Sequence, residues 1–294
     1  IKTADGQRFK AVGCSDFGQF ARWLLPNGPK ALVEPIIDER TLLARDAGYE
    51  GDLVARVFRY AAAPNRFAVD PWSYPMSAAR EFTEFYGSKG WRVDWTAGDS
   101  QICFPSADPR MGEVNGPRGI NQHQNEFCAA IHGLPNVIWN TCNEPFKNGV
   151  NTSVVKPPPW APTVQYSGTY YDDWAEPNST DLACINFHPV RGDDFVHGGY
   201  VPKFVGKLFE TAVYLYRLGR PIIFDEPIGA DEITIPGRRS NVPAYWFQMG
   251  LGIGLIDGLY FHSTAGLSSD GFGPIVQQCW QAFCRGAVGG LRDS

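Results

Sequence analysis

Two rhythms of hydrophobic residues alternate along this chain. Short apolar runs with the length and composition of buried strands fall at residues 9–13, 53–60, 91–95, 137–141, 163–167, 182–187, 222–225 and 258–261. Between most of them, apolar positions return roughly every three or four residues, which places them on one face of a helix. One such segment is 36–47, with Asp38 and Glu39 near its start and Gly48 as a stop. Residues 77–86 form another, with Ala, Phe and Tyr on one face and Gly87 at the end. Segment 119–132 carries Ile120, Phe127, Ala130 and Ile131 on its apolar face and ends at Gly133. Segment 200–218 places Phe204, Leu208, Thr211, Leu215 and Leu218 at helical spacing before Gly219. Residues 245–254 and 275–285 are the last helical stretches.

Strands alternating with helices predict a parallel sheet. Eight such units in 294 residues predict a single domain, residues 1–294, folded as a (β/α)8 TIM barrel. Four Pro-, Gly- and Asp-rich stretches, 98–118, 146–161, 189–199 and 227–241, follow strands and are too long to be simple connections. Insertions after strands fall on the C-terminal, catalytic face of such a barrel.

Composition narrows the function classes. The hydrophobic content of 44% is enough for a large core, and the net charge of −5 comes without a Lys/Arg cluster, which argues against a nucleic-acid partner. No apolar run reaches the roughly 18 residues of a membrane-spanning helix. The first residues, Ile1, Lys2 and Thr3, carry neither an initiator Met nor a signal-peptide pattern, so loss of a leader or an upstream domain is expected, with secretion as the expected localisation. Seven Cys are spread without a metal-like C-x-x-C pair. The five His show no ligand spacing, and neither a metal nor an organic cofactor is expected. Aromatic residues make up 14% of the chain, and flat rings outside the core suit the apolar faces of sugars.

Two strand ends carry the chemistry. Val137-Ile138-Trp139-Asn140-Thr141-Cys142-Asn143-Glu144-Pro145 and Pro221-Ile222-Ile223-Phe224-Asp225-Glu226-Pro227 are each an apolar run ending in a glutamate and stopped by a proline. Two carboxyls delivered to one rim, about 5–5.5 Å apart, are what a retaining glycosidase needs. In an alternating strand Ile222, Phe224 and Glu226 share one face and Asp225 takes the other, which favours Glu226 over Asp225 as the nucleophile.

The chain resembles the clan A glycoside hydrolases, retaining (β/α)8 β-glycosidases that include the family-five cellulases and mannanases. The resemblance spans nearly the whole sequence and is specific at four strand ends. Asn143-Glu144-Pro145 is similar to the clan's Asn-Glu-Pro, which implies that Glu144 is the general acid/base. Glu226 in Phe224-Asp225-Glu226-Pro227 resembles the seventh-strand nucleophile, His188 in Asn186-Phe187-His188-Pro189 the sixth-strand His, and Arg56 in Ala55-Arg56-Val57 the second-strand Arg.

Substrate contacts are accordingly expected from Asn143, His188, Arg56, His262, Trp95 and Tyr170. There are departures. Thr96 stands near the place of a third-strand His, no Tyr closely follows His188, and His262 stands where an eighth-strand Trp is usual. Tyr166, Tyr170 and Tyr200 are the alternatives for the missing phenol.

The reading is a retaining endo-β-glycosidase, expected to be a monomer, that hydrolyses a β-linked polysaccharide, foremost mannan or glucan. A non-catalytic carbohydrate-binding barrel and a transglycosylase are the alternatives. Gly250-Leu251-Gly252-Ile253-Gly254 lies between a helix and a strand, the wrong order for a dinucleotide loop.

Overall fold

A computed structural model of the chain describes residues 9–16, 18–25, 29–58, 75–96, 120–143, 164–168, 182–185, 222–224, 243–262 and 274–292. The eight expected strands are all present among them: β1 Ala11–Ser15, β2 Leu53–Phe58, β3 Trp91–Thr96, β4 Val137–Asn143, β5 Val164–Gly168, β6 Leu182–Ile185, β7 Ile222–Phe224 and β8 Gly258–Phe261. Each pairs in parallel with its successor, and β8 pairs back on β1, which makes an α/β barrel.

The described helices are α1 Gln19–Trp23, α2 Pro29–Asp46, α3 Ser77–Ser88, α4 Ile120–Ile131, α5 Pro243–Leu251 and α6 Pro274–Arg292, with a 3-10 turn at Gly252–Gly254. After α2, α3 and α4 the chain reverses through Gly48, Gly90 and Gly133, whose φ angles of 88°, 78° and 82° lie in the left-handed region that glycine tolerates. The expected helix at 200–218 and the four long loops lie outside the described residues.

On the strands whose side chains are described both faces are buried, as in a parallel sheet covered by helices. The outward residues Val12, Cys14, Leu53, Ala55, Val57, Trp91, Val93, Trp95, Trp139, Ile222, Phe224, Leu259 and Phe261 join the helices in one large core. The inward residues Ala11, Val54, Ile138, Ile223 and Tyr260 form a second, smaller cluster inside the barrel. Register carries this inward set from strand to strand: Gly13 faces Val54, and Ile223 faces Gly258, which in turn faces Ala11.

Three elements depart from the sequence expectation. The short helix α1 was not expected, and it is buried although it carries Gln19 and Arg22. Helix α2 begins earlier and runs through Pro35. Helix α6 continues past Arg285 to Arg292 because its glycines are packing sites rather than stops. A Cβ on Gly286 would lie 2.0 Å from the Phe247 carbonyl oxygen, and one on Gly250 would lie 2.1 Å from that of Phe283, so α5 and α6 meet backbone to backbone. Cys279 and Cys284 of α6 are both buried thiols outside any disulfide. No described helix is long and apolar enough to cross a membrane, and no described cluster of His, Cys, Asp and Glu could hold a metal ion.

Candidate active site

The barrel interior changes character along its axis. Its middle and N-terminal part is the apolar cluster of Ala11, Val54, Ile138 and Ile223, backed by Phe9. Toward the C-terminal strand ends the inward positions become Ser15 on β1, Arg56 on β2, Asp94 and Thr96 on β3, Asn140 on β4 and His262 just after β8, all buried. Ser15 faces Arg56, Arg56 faces Asp94, and Thr96 faces Asn140 in the strand register. Burying so many polar groups in one place is costly unless they are partnered, and it is the usual signature of a site rather than of a core.

Several of these groups are partnered within the lining. Tyr260 donates its phenol to Asp94 Oδ2 at 2.9 Å. Arg56 Nε approaches Thr96 Oγ1 at 3.4 Å, a long hydrogen bond. Ser15 Oγ lies 2.7 Å from His262 Nδ1.

Behind this lining, Asp16 anchors the end of β1. Its Oδ1 pairs with Arg40 Nη1 of α2 at 2.8 Å, and its Oδ2 accepts from the Tyr86 hydroxyl of α3 at 2.6 Å. Its backbone N–H donates to the Arg56 carbonyl at 2.7 Å, which ties the anchor to the strand carrying that arginine. Burial opposes the charge on Arg40, but the Asp16 carboxylate, with smaller contributions from Cys14 and Tyr86, raises the guanidinium pKa above its usual value. Burial, then the Asp16 charge, pushes the Tyr86 phenol well above the ordinary range. Cys14 is pushed up to about 12, by burial first, with Arg40 opposing and Asp16 adding.

Arg56 and His262 both lie at buried, inward positions toward the C-terminal strand ends. Trp95 does not. It is the neighbour of inward-facing Asp94 on an alternating strand, so its indole points outward, against Phe20, Phe82 and Phe127, and donates to Thr83 Oγ1 at 3.0 Å. It is a core residue, and the expectation that it contacts substrate is corrected. Asn143 is the last residue of β4, its backbone in register with Ser167 after a bulge between Asn140 and Cys142. Glu144, Tyr170, His188 and Glu226, and the side chain of Asn143, lie outside the described residues.

The seventh strand also faces the other way from the sequence expectation. Ile222 and Phe224 belong to the outward core and Ile223 to the inward cluster. The face they share is the helix side, so alternation gives no support to Glu226 over Asp225. The described part of the strand is Ile222–Phe224, and Asp225 and Glu226 lie outside the described residues.

Sequence reasoning missed Ser15, Asp94, Asn140 and Tyr260, and met Thr96 only as a departure. The signal was present: a polar residue inside an apolar strand marks the inward face, and Arg56 and Asp94 are such marks.

No family model matches the sequence, and no curated protein matches it. Solved structures do. A GH5_18 protein (glycoside hydrolase family 5) from Bifidobacterium longum subsp. infantis superposes with a TM-score of 0.57 at 15% identity, covering 96% of this chain and 79% of that one. The GH5_18 protein from Streptomyces cattleya, in complex with GlcNAc, gives 0.55 at 12% identity over 98% and 82%. The endo-beta-1,4-mannanase of Thermotoga petrophila gives 0.51 at 11% identity over 89% and 69%. At such identities what is shared is the fold, an α/β barrel of the kind these glycoside hydrolases use.

Proposed function

We propose that the chain is one (β/α)8 catalytic domain, with its long loops on the C-terminal face, and that it is a retaining β-glycosidase acting on a β-linked polysaccharide. The observation that carries this is the buried polar lining at the C-terminal strand ends, in one barrel with the strands that Glu144 and Glu226 follow in sequence. Barrel enzymes place their chemistry at that end.

In this reading Glu226 attacks the anomeric carbon while Glu144 protonates the departing glycosidic oxygen. Glu144 then deprotonates the water that breaks the glycosyl-enzyme ester, and the product keeps the β configuration. Arg56 supplies positive charge that favours an ionised nucleophile. Asn143 donates to a sugar hydroxyl beside the reacting carbon, and His188, His262 and Tyr170 contact the saccharide.

Mannan is favoured as substrate, since a structural neighbour is an endo-beta-1,4-mannanase. A second reading has one observation behind it: inward Ile223 on β7 makes Asp225 the residue that alternation would carry inward.

Incubation with β-mannans, β-glucans and xylans should release new reducing ends from at least one polymer, and Glu226→Ala should abolish the release. If wild type and variant are equally inert on every polymer while one polymer still binds, the barrel is a binder and the proposal fails.

A further inference from the structure

Asp16 directly follows Ser15, the last residue of β1. Its side chain and its backbone hold different elements. The carboxylate pairs with Arg40 Nη1 of α2 at 2.8 Å and accepts from the Tyr86 hydroxyl of α3 at 2.6 Å. The backbone N–H donates to the Arg56 carbonyl of β2 at 2.7 Å. One residue therefore joins two helices of the outer shell to the strand position that delivers an inward arginine. Among the described ion pairs, Asp16 with Arg40 is the one whose two side chains are both buried, at 0% and 1% exposure. The others are open to water, as Arg92 with Asp52 is at 20% and 49%.

A buried pair is weak evidence for stability, because the cost of desolvating two charges offsets their attraction, and apolar groups of the same volume often do as well. Its geometry is more restrictive than apolar packing. A carboxylate that meets a guanidinium on one helix and a phenol on another has a defined seat. That seat is one residue from the polar lining, and the acceptor of its backbone N–H is Arg56 itself. We propose that Asp16 is a positioning residue: held by Arg40 and Tyr86, it fixes the backbone of Arg56 at the C-terminal end of the barrel, and so the place from which the guanidinium reaches into the site. The effect on turnover rests on the glycosidase reading, whereas the anchoring of the Arg56 backbone does not.

The test uses Tyr86→Phe, which loosens the carboxylate without leaving a buried charge unpaired. Its first arm is amide hydrogen exchange of the whole chain by NMR. The Asp16 N–H reports the opening of its bond to Arg56. Its exchange is expected to be about tenfold faster in Tyr86→Phe, the order of one lost hydrogen bond. The Asp257 N–H, which donates to the Ile222 carbonyl at the opposite end of the barrel, should exchange as in wild type. An Asp16 amide as protected as in wild type, or equal acceleration at Asp16 and Asp257, would overturn the proposal.

The second arm is kinetic, on the polymer that wild type cleaves, at a temperature where both proteins are fully folded. Tyr86→Phe is expected to lower kcat and kcat/KM together, roughly three- to tenfold, as for an interaction made in the transition state. The same change in an Arg56→Ala background is expected to have no further effect, because Asp16 acts through Arg56. Unchanged turnover, or losses that add, would assign Asp16 an ordinary structural role and overturn the proposal. If no polymer is cleaved, the effect on turnover falls together with the glycosidase reading, and exchange at Asp16 still decides whether it anchors Arg56.

Discussion

Tyr260 and Asp94, 166 residues apart in sequence, are joined across the barrel by a 2.9 Å hydrogen bond from phenol to carboxylate. The contact links β8 to β3 just below the polar rim, and it gives a buried acid a donor. Tyr260→Phe keeps the ring and removes the donor. The expected cost is about 1–3 kcal/mol, read as a lower urea midpoint with an unchanged slope.

The Asp16 anchor makes a sharper stability prediction. Asp16→Ala leaves the Arg40 guanidinium buried without its counter-ion, and loss of one partner of a buried pair costs about 3–5 kcal/mol. Tyr86→Phe removes only a hydroxyl from the same carboxylate and should cost about 1–3 kcal/mol. Equilibrium unfolding of the two variants should rank Asp16→Ala as clearly the worse.

Alkaline pH should loosen the fold through the same region. Burial raises the Cys14 thiol from an ordinary 9.0 to about 12, against the opposing pull of Arg40 and with Asp16 adding to the rise. Below pH 9 the thiol is neutral in folded and unfolded chains alike, and its contribution to stability is fully present. Between pH 9 and 12 the unfolded chain releases the proton and the folded one keeps it, so stability falls by up to about 1.4 kcal/mol per pH unit for this group. Urea midpoints should be level below pH 9 and decline above it, with a shallower decline in Cys14→Ala.

Trp95 should behave as a core residue. Trp95→Ala is expected to cost about 3–5 kcal/mol of stability, because it opens a cavity among Phe20, Phe82 and Phe127. Trp95→Phe should bind oligosaccharide as wild type does, measured by calorimetric titration. A selective loss of binding in a stably folded Trp95→Phe would return the indole to the site.

The strands were legible because a parallel strand buried on both faces reads as an apolar run, and Gly48 and Gly133 punctuate it where a left-handed turn follows a helix. Which face points inward was legible only where a polar residue interrupts the run. Arg56 marks β2 correctly, and Asp94 marks β3, from which the outward placement of Trp95 follows. Ile222-Ile223-Phe224 carries no such mark, so its facing had to come from packing. The buried helix α1 was hidden by Gln19 and Arg22, and the end of α6 by glycines that serve close helix contact. Ser15 and His262 carry no joint sequence signal, because only the pairing of β8 on β1 brings them together.

The central claim, that Glu144 and Glu226 work as a pair with Glu226 as the nucleophile, is tested most directly by trapping the covalent intermediate. An activated fluorosugar, a dinitrophenyl deoxyfluoro-β-glycoside, should lose dinitrophenolate to an enzyme carboxylate and leave the fluorosugar bound as an ester. Fragmentation of the labelled peptide should place the sugar on Glu226, with no label in Glu226→Ala. Label on Asp225, or a protein that turns over polymer yet never takes the label, would contradict the account.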